Sequence, residues 1–237
     1  MAVNFNSIVP YGMTFSFDAL NPKCYSGSGT TFTDLVTKTS ASAVVTSPAT
    51  LGIVNGHLRF VPGESTRVAY IPFPTANLNL PRGSEATISI WSYFEDQGNM
   101  DHPMAGWETG TDWDGLNGFV IGTGWGTDGT RVAVAGNNIG YTGMENNVWI
   151  HWVLTFNSGF TNGVKLYKNA SVVLQGTAGA SNTSIGSTNT NTLNIGATNS
   201  RGGNWGGYMD IVQIWDRALG QDEISYLYNT QRKRFVA

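Results

Sequence analysis

The sequence predicts an all-β protein: an antiparallel two-sheet β-sandwich finished by one short C-terminal helix. Three observations lead there. Short apolar-alternating runs recur along the chain with Gly, Asn, Pro or Ser between them, the pattern of strands joined by tight turns. Two longer runs, ATISIWSYF (86–94) and VWIHWVLTF (148–156), are apolar on both faces, as strands at the centre of a sandwich are. Helical spacing occurs in one segment near the end, DEISYLYN (222–229).

The elements follow in order. After an arm over 1–12, TFSFD (14–18) alternates like a strand, and Asn21-Pro22 and Ser26-Gly27-Ser28-Gly29 then break regular structure. HLRFV (57–61) and RVAYI (67–71) flank the turn Pro62-Gly63-Glu64, and the long strand 86–94 follows. Residues 95–114 read as one polar loop. Gly118 to Ile121 and Arg131 to Ala135 form a pair across the Gly-rich loop GTGWGTDG (122–129). Strand 148–156 leads into a hairpin of 163–169 and 172–175 turning at Lys168-Asn169-Ala170. Residues 176–191 are low in complexity and read as a surface loop. Leu193 and Ile195 mark a short strand, and Tyr208 to Trp215 alternates residue by residue. In the last segment Ile224, Leu227 and Tyr228 fall at i, i+3 and i+4, one apolar face, while Asp222 and Glu223 suit the positive end of the helix dipole. This helix reads as a latch on the sandwich. The chain thus divides into an arm (1–12), a sandwich (13–220), and a helix with a basic tail (221–237).

Composition narrows the function. Of 237 residues 12% are charged, against roughly 25% in an average soluble domain; Gly, Thr, Asn and Ser take their place. Net charge is −3 with Lys and Arg scattered, so there is no basic stripe for nucleic acid. The basic run Arg232-Lys233-Arg234 is the exception, either a solvated tail or a docking element for an acidic neighbour. No stretch of about 18 apolar residues suggests a membrane span. Cys24 stands alone, so no intrachain disulfide forms. The N-terminal residues lack the charged and apolar regions of a secretory signal, and the expectation is a protein made in the cytoplasm.

Three stretches carry a family resemblance. TLNIGATNSRGGNWGGYMDIVQIWDRAL (192–219) resembles the GxIDEVRIYNRALS-type closing strands of laminin-G-like, concanavalin A-like jelly-roll domains, with Gly220 where a Ser commonly caps the next helix. VWIHWVLTF with GVKLYKNA resembles the WHHVAVTYD…LYVNG hairpin of the same family. Asp18-Ala19, Asn21-Pro22, Tyr25, Gly27-Ser28-Gly29-Thr30-Thr31 and Asp34-Leu35 resemble the opening line LDAxNPxSYxGSGTTWxDL found in such domains of bacteriophage structural proteins; Phe32 replaces Trp and Cys24 replaces Ser. The resemblance implies the fold. It leaves function open, because lectins, adhesins, glycan-active enzymes and structural modules share it.

Segment 95–114, EDQGNMDHPMAGWETGTDWD, is the densest in acids and indoles. Oxygen ligands in a Gly-rich loop suit calcium, which points to Asp101, Asp112 and Asp114 as metal ligands, although the spacing lacks the EF-hand pattern. Aromatic faces beside carboxylates suit sugars, which points to Trp107, Asp112, Trp113, Asp114 and Trp125 as a glycan site. The bland alternative is a solvated loop whose indoles close one end of the core. Glycoside hydrolysis needs two facing carboxylates, and both long strands contain none. His57, His102 and His151 are dispersed, with His151 read as a packed histidine, and Asp210 reads as structural. The chain is therefore expected to be no enzyme.

Two readings of function remain. The resemblance in the opening line implies a bacteriophage virion structural protein, a decoration or cement protein on the capsid exterior. Such a protein would dock on capsid or tail proteins through its arm and Arg232-Lys233-Arg234, and as a homo-oligomer, a trimer fitting three-fold head positions. The other reading is a glycan-binding adhesin or tail receptor-binding module for a host-surface polysaccharide.

Overall fold

Which side chains alternate inward decides the two layers of this protein. The computed structural model describes residues 10–61, 69–95, 102–109, 117–123, 130–140, 143, 145–159, 161–176, 185–186, 190–198 and 205–235. In chain order the strands are β1 (Met13–Asp18), β2 (Thr31–Thr33), β3 (Ser40–Ser42), β4 (Val44–Val45), β5 (Thr50–Val54), β6 (His57–Val61), β7 (Ala69–Phe73), β8 (Glu85–Phe94) and β9 (His102–Trp107). They continue with β10 (Phe119–Thr123), β11 (Thr130–Val134), β12 (Asn137–Gly140), β13 (Trp149–Asn157), β14 (Val164–Lys168), β15 (Ser171–Gly176), β16 (Leu193–Ile195) and β17 (Gly207–Trp215). Helix α1 (Gln221–Gln231) runs into a 3-10 turn over Arg232–Arg234.

The first sheet runs β15-β14-β13-β8-β17-β6-β5, with β1 also on β17; the second runs β12-β11-β10-β9-β16-β7-β4; β2 and β3 pair separately. All named pairings are antiparallel. Between the sheets lies one apolar core. Phe15, Phe17, Phe60, Ile88, Ile90, Trp152, Leu154, Met209 and Ile214 meet Ile71, Phe73, Met104, Trp107, Phe119, Ile121, Leu193 and Ile195 there, almost all fully buried. The expected two-sheet sandwich with a short C-terminal helix is the observed architecture.

Strands β8 and β13 are two-sided because the outer face of the first sheet is covered as well. Helix α1 lays Ile224 and Leu227, together with Leu219, on Val153, Tyr167 and Trp215. The small polar residues of β8 fasten this cover: Thr87 Oγ1 donates to the Arg217 carbonyl at 2.8 Å and accepts from Leu219 N at 2.9 Å. At the helix start the Glu223 carboxylate accepts from Gly220 N at 3.0 Å, supplying the half of a capping box that a glycine cap leaves available. Arg217 holds Glu223 from the other side at 2.8 Å and keeps its carboxyl below the usual range.

The structure differs from the sequence expectation in three places. The supposed loop 95–114 contains strand β9, flanked by β10 and β16. Its sequence, HPMAGW, carries Pro and Gly and no alternation, so only its neighbours make it a strand. The residue-by-residue alternation of Tyr208 to Trp215 is interrupted between Met209 and Ile211, where Asp210 is an extra residue opposite β8. Such a bulge shifts every later side chain to the other face. Ile185, in the expected surface loop 176–191, is fully buried and bridges to Gly83.

Candidate functional site

The bulge at Asp210 builds the candidate site. Val212 and Ile214 point into the core, whereas Ile211 and Trp215 face outward. Unbroken alternation would put Tyr208 on the core side with Val212. The extra residue turns it outward instead, and Met209 takes the inward position. Tyr208 then stands directly opposite Tyr93 of β8 on one side and Arg59 of β6 on the other. Tyr93 in turn stands opposite Trp149 of β13. Register thus forms a straight row across four strands, Trp149–Tyr93–Tyr208–Arg59, about 14 Å long at the usual strand spacing.

All four side chains are half-buried. The rings lean on one another: Tyr93 and Tyr208 have centroids 5.4 Å apart at 87°, Tyr93 and Trp149 5.8 Å at 60°, and Trp149 and Tyr208 6.3 Å at 49°. Arg59 lies 5.6 Å from the Tyr208 centroid, within cation–π range. It also donates from Nε and Nη2 to one oxygen of Glu95, at 3.1 and 2.8 Å, and this bond raises the guanidinium above its usual range. Gly207, before Tyr208, has φ +129, and a Cβ there would collide with the Tyr93 carbonyl oxygen; only glycine lets β17 enter so close to β8.

The C-terminal tail walls the row on one side. Phe235 stacks on Trp91 at 4.3 Å and packs against Trp149 at 4.7 Å. Arg234 anchors the tail by donating to Asp18 at 2.8 and 3.0 Å, with Asp210 3.6 Å away. The buried Asp210 carboxylate also accepts from Leu58 N at 2.8 Å and pairs with His57 Nδ1. His57 packs on Trp149 with centroids 4.8 Å apart. The next row inward, His151–Trp91–Ile211, lies beneath Phe235, Tyr228 and Gln231; Trp91 Nε1 donates to Gln231 at 2.7 Å. Through Phe235 the tail therefore covers the outer face up to the Tyr93 row.

Several residues singled out in the sequence lie elsewhere. Trp107 is fully buried in β9 as part of the inter-sheet core, so its ring cannot serve as a sugar platform. Asp101, Asp112, Trp113, Asp114 and Trp125 lie outside the described residues. Among the described residues no cluster of three or more His, Cys, Asp or Glu could hold a metal. Arg234 is turned inward onto Asp18 and is no free docking charge; Arg232 lies over the Tyr228 ring at 5.6 Å, and Lys233 is exposed. Asp210 is structural and His151 is packed, buried beside Trp91 with Tyr228 stacked near both rings, and desolvation lowers its pKa to about 3. Reading the sequence left Tyr93, Trp149 and Tyr208 unremarked. They come from three distant strands, and the signal that could have joined them is the outward phase of each strand.

The family model described as the concanavalin A-like lectin/glucanases superfamily, a laminin-G type, matches residues 65–225. The chain belongs to that superfamily. Its fold is similar to that of Trypanosoma rangeli sialidase in complex with a difluoro-KDN, with a TM-score of 0.65 at 15% identity over 97% of this chain and 34% of the sialidase. It is also similar to the botulinum neurotoxin serotype D ligand binding domain in complex with N-acetylneuraminic acid, with a TM-score of 0.63 at 12% identity over 93% of this chain and 51% of that one. A third likeness is to botulinum neurotoxin type C in a structure concerned with two ganglioside molecules, with a TM-score of 0.61 at 11% identity over 92% and 51%. The chain thus spans between about a third and a half of these proteins. None of the curated proteins matches it significantly by sequence.

Proposed function

We propose that this protein is a non-catalytic carbohydrate-binding module whose site is the Trp149–Tyr93–Tyr208–Arg59 row. The observation that carries the reading is the half-buried aromatic row beside a charged hydrogen-bonding pair. The C–H face of a pyranose packs on aromatic rings, and its hydroxyls need nearby donors and acceptors; Arg59 and Glu95 offer both. The β-bulge that turns Tyr208 outward is a device often found beside functional sites. The sialidase and neurotoxin domains of similar fold, studied with sialic acids or gangliosides, support carbohydrate as the class of ligand. Catalysis has no support in the row: Glu95 is its one carboxylate among the described residues and faces no second one across a cleft.

The virion reading draws on the opening line, and the residues of that line are engaged within the fold. Tyr25 stacks on Phe32 at 4.3 Å, and the buried Asp34 accepts from Ser16 N at 2.8 Å and holds its own turn through Val36 N and Thr37 N. These contacts tie residues 16–41 to the sandwich, and the similar folds that bind sialic acids or gangliosides make carbohydrate binding the better supported reading.

The test is a glycan array followed by calorimetric titration of the strongest hit, repeated with EDTA. Truncating a central ring of a binding patch costs about 1–2 kcal/mol, roughly tenfold in Kd or more. Tyr208→Ala and Trp149→Ala are expected to weaken binding by that much while the thermal transition stays cooperative, and EDTA is expected to change nothing. Unaltered affinity in both variants would refute this site.

A further inference from the structure

We propose that the row selects uncharged sugars and discriminates against sialylated or uronic-acid glycans. This rests on the carbohydrate reading above and deepens it. Neutral hexose chains are the class of ligand inferred.

Arg59 is the cation of the row, and both of its recorded bonds, from Nε and Nη2, go to a single Glu95 oxygen. A guanidinium recognises a carboxylate by offering two parallel N–H groups. Here the Nε/Nη2 edge is already engaged by Glu95, so a sugar carboxylate would have to displace Glu95 or take the Nη1/Nη2 edge close beside that like charge. Both partners stay partly in contact with solvent, with 33% of the Arg59 and 22% of the Glu95 side chain accessible, so an incoming ligand meets the pair as a pair. The charges behind the row do not help an anion either. Arg234 is held by Asp18 and faces Asp210, which also takes His57. Among the described residues around the row, two arginines therefore face three carboxylates, with one histidine between them. Neither of these two arginines is left without a facing carboxylate.

A neutral sugar meets the opposite situation. Its hydroxyls both donate and accept, so the Glu95 carboxylate and the Arg59 guanidinium can each take one without either losing its partner. Next in the row beyond Arg59 stands Gly52, on the edge strand β5. A Cβ at Gly52 would meet nothing within 4 Å, so a sugar chain seated on the rings can run past Arg59 and off the sheet. Discrimination by a facing like charge and an occupied donor is selection through repulsion, a common source of specificity.

The experiment compares matched glycans that differ by one acidic group, lactose with 3′-sialyllactose and each neutral array hit with its sialylated or uronic counterpart, by calorimetry on the whole protein. The acidic member is expected to bind about tenfold weaker or worse, about 1.4 kcal/mol. Glu95→Gln removes the facing charge and loosens Arg59, and is expected to shrink that gap to about threefold or less; its thermal midpoint is recorded alongside. An acidic member that binds as tightly as the neutral one, or a gap unchanged by Glu95→Gln in a folded variant, would overturn the proposal while leaving carbohydrate binding intact. Absence of binding to every glycan of either kind would overturn the carbohydrate reading and this proposal with it.

Discussion

Two buried polar residues, His151 and Asp210, give the outer face of the first sheet its chemistry, and each makes a separate prediction. His151 is fully buried beside Trp91, with Ser89 Oγ 2.8 Å from Nε2. Burial lowers its pKa from 6.5 to about 3, so the folded protein keeps the ring neutral while the unfolded chain protonates it. Between pH 6.5 and 3 the unfolded state binds the extra proton, so stability falls as pH falls. The loss between pH 7 and pH 5 is about 2 kcal/mol from this group. Urea unfolding at the two pH values measures it, and His151→Gln should remove most of the difference. Asp210 fills the place where β17 changes partner from β6 to β1. Asp210→Ala would leave Leu58 N and His57 without their shared acceptor and remove the carboxylate 3.6 Å from Arg234, at a cost of about 3–5 kcal/mol, read as a fall in the urea midpoint. Single residues were also where the sequence was least legible. The acids and indoles of 95–114 are close in sequence and drew attention for that reason, yet Trp107 is core. Tyr93, Trp149 and Tyr208 are far apart in sequence and become neighbours only through antiparallel register.

At the scale of elements, strands with their own alternation were legible and strands made by their neighbours were not. HLRFV was expected at 57–61 and is β6; ATISIWSYF and VWIHWVLTF became the paired centre of the first sheet. Strand β9 was missed because Pro103 and Gly106 hide its period, and β5 and β12 were missed at the margins. The bulge was invisible because MDIVQIW alternates acceptably in either phase; only the partner strand fixes which residue is extra. The C-terminal helix was read as a latch, and its buried Ile224 and Leu227 show what it fastens. Leu227→Ala should cost about 2–5 kcal/mol and loosen the tail that walls the row, so hydrogen exchange should rise over 221–235 before it rises in β8. Gly207→Ala combines a positive φ with a collision against β8. It should lower the melting temperature and, by displacing Tyr208, weaken glycan binding together with it.

At the scale of the whole molecule, two layers and a tail leave the Trp149–Tyr93–Tyr208–Arg59 row half-buried beside the described part of the tail. The inner faces make a single core, and α1 with the 3-10 turn covers most of the outer face of the first sheet. What remains open is the end carrying Trp149, Tyr93, Tyr208 and Arg59, bounded by Phe235 and His57. Membership of a lectin and glucanase superfamily fixes the scaffold; the half-buried row is the feature on which the proposed ligand class rests. The most direct measurement is a crystal structure of the protein soaked with the neutral oligosaccharide it binds best. The account predicts a sugar ring seated on Tyr208 and Tyr93, with hydroxyls within hydrogen-bond distance of Arg59 and Glu95. A sugar bound through Trp113 or Trp125, with the row empty, would contradict it.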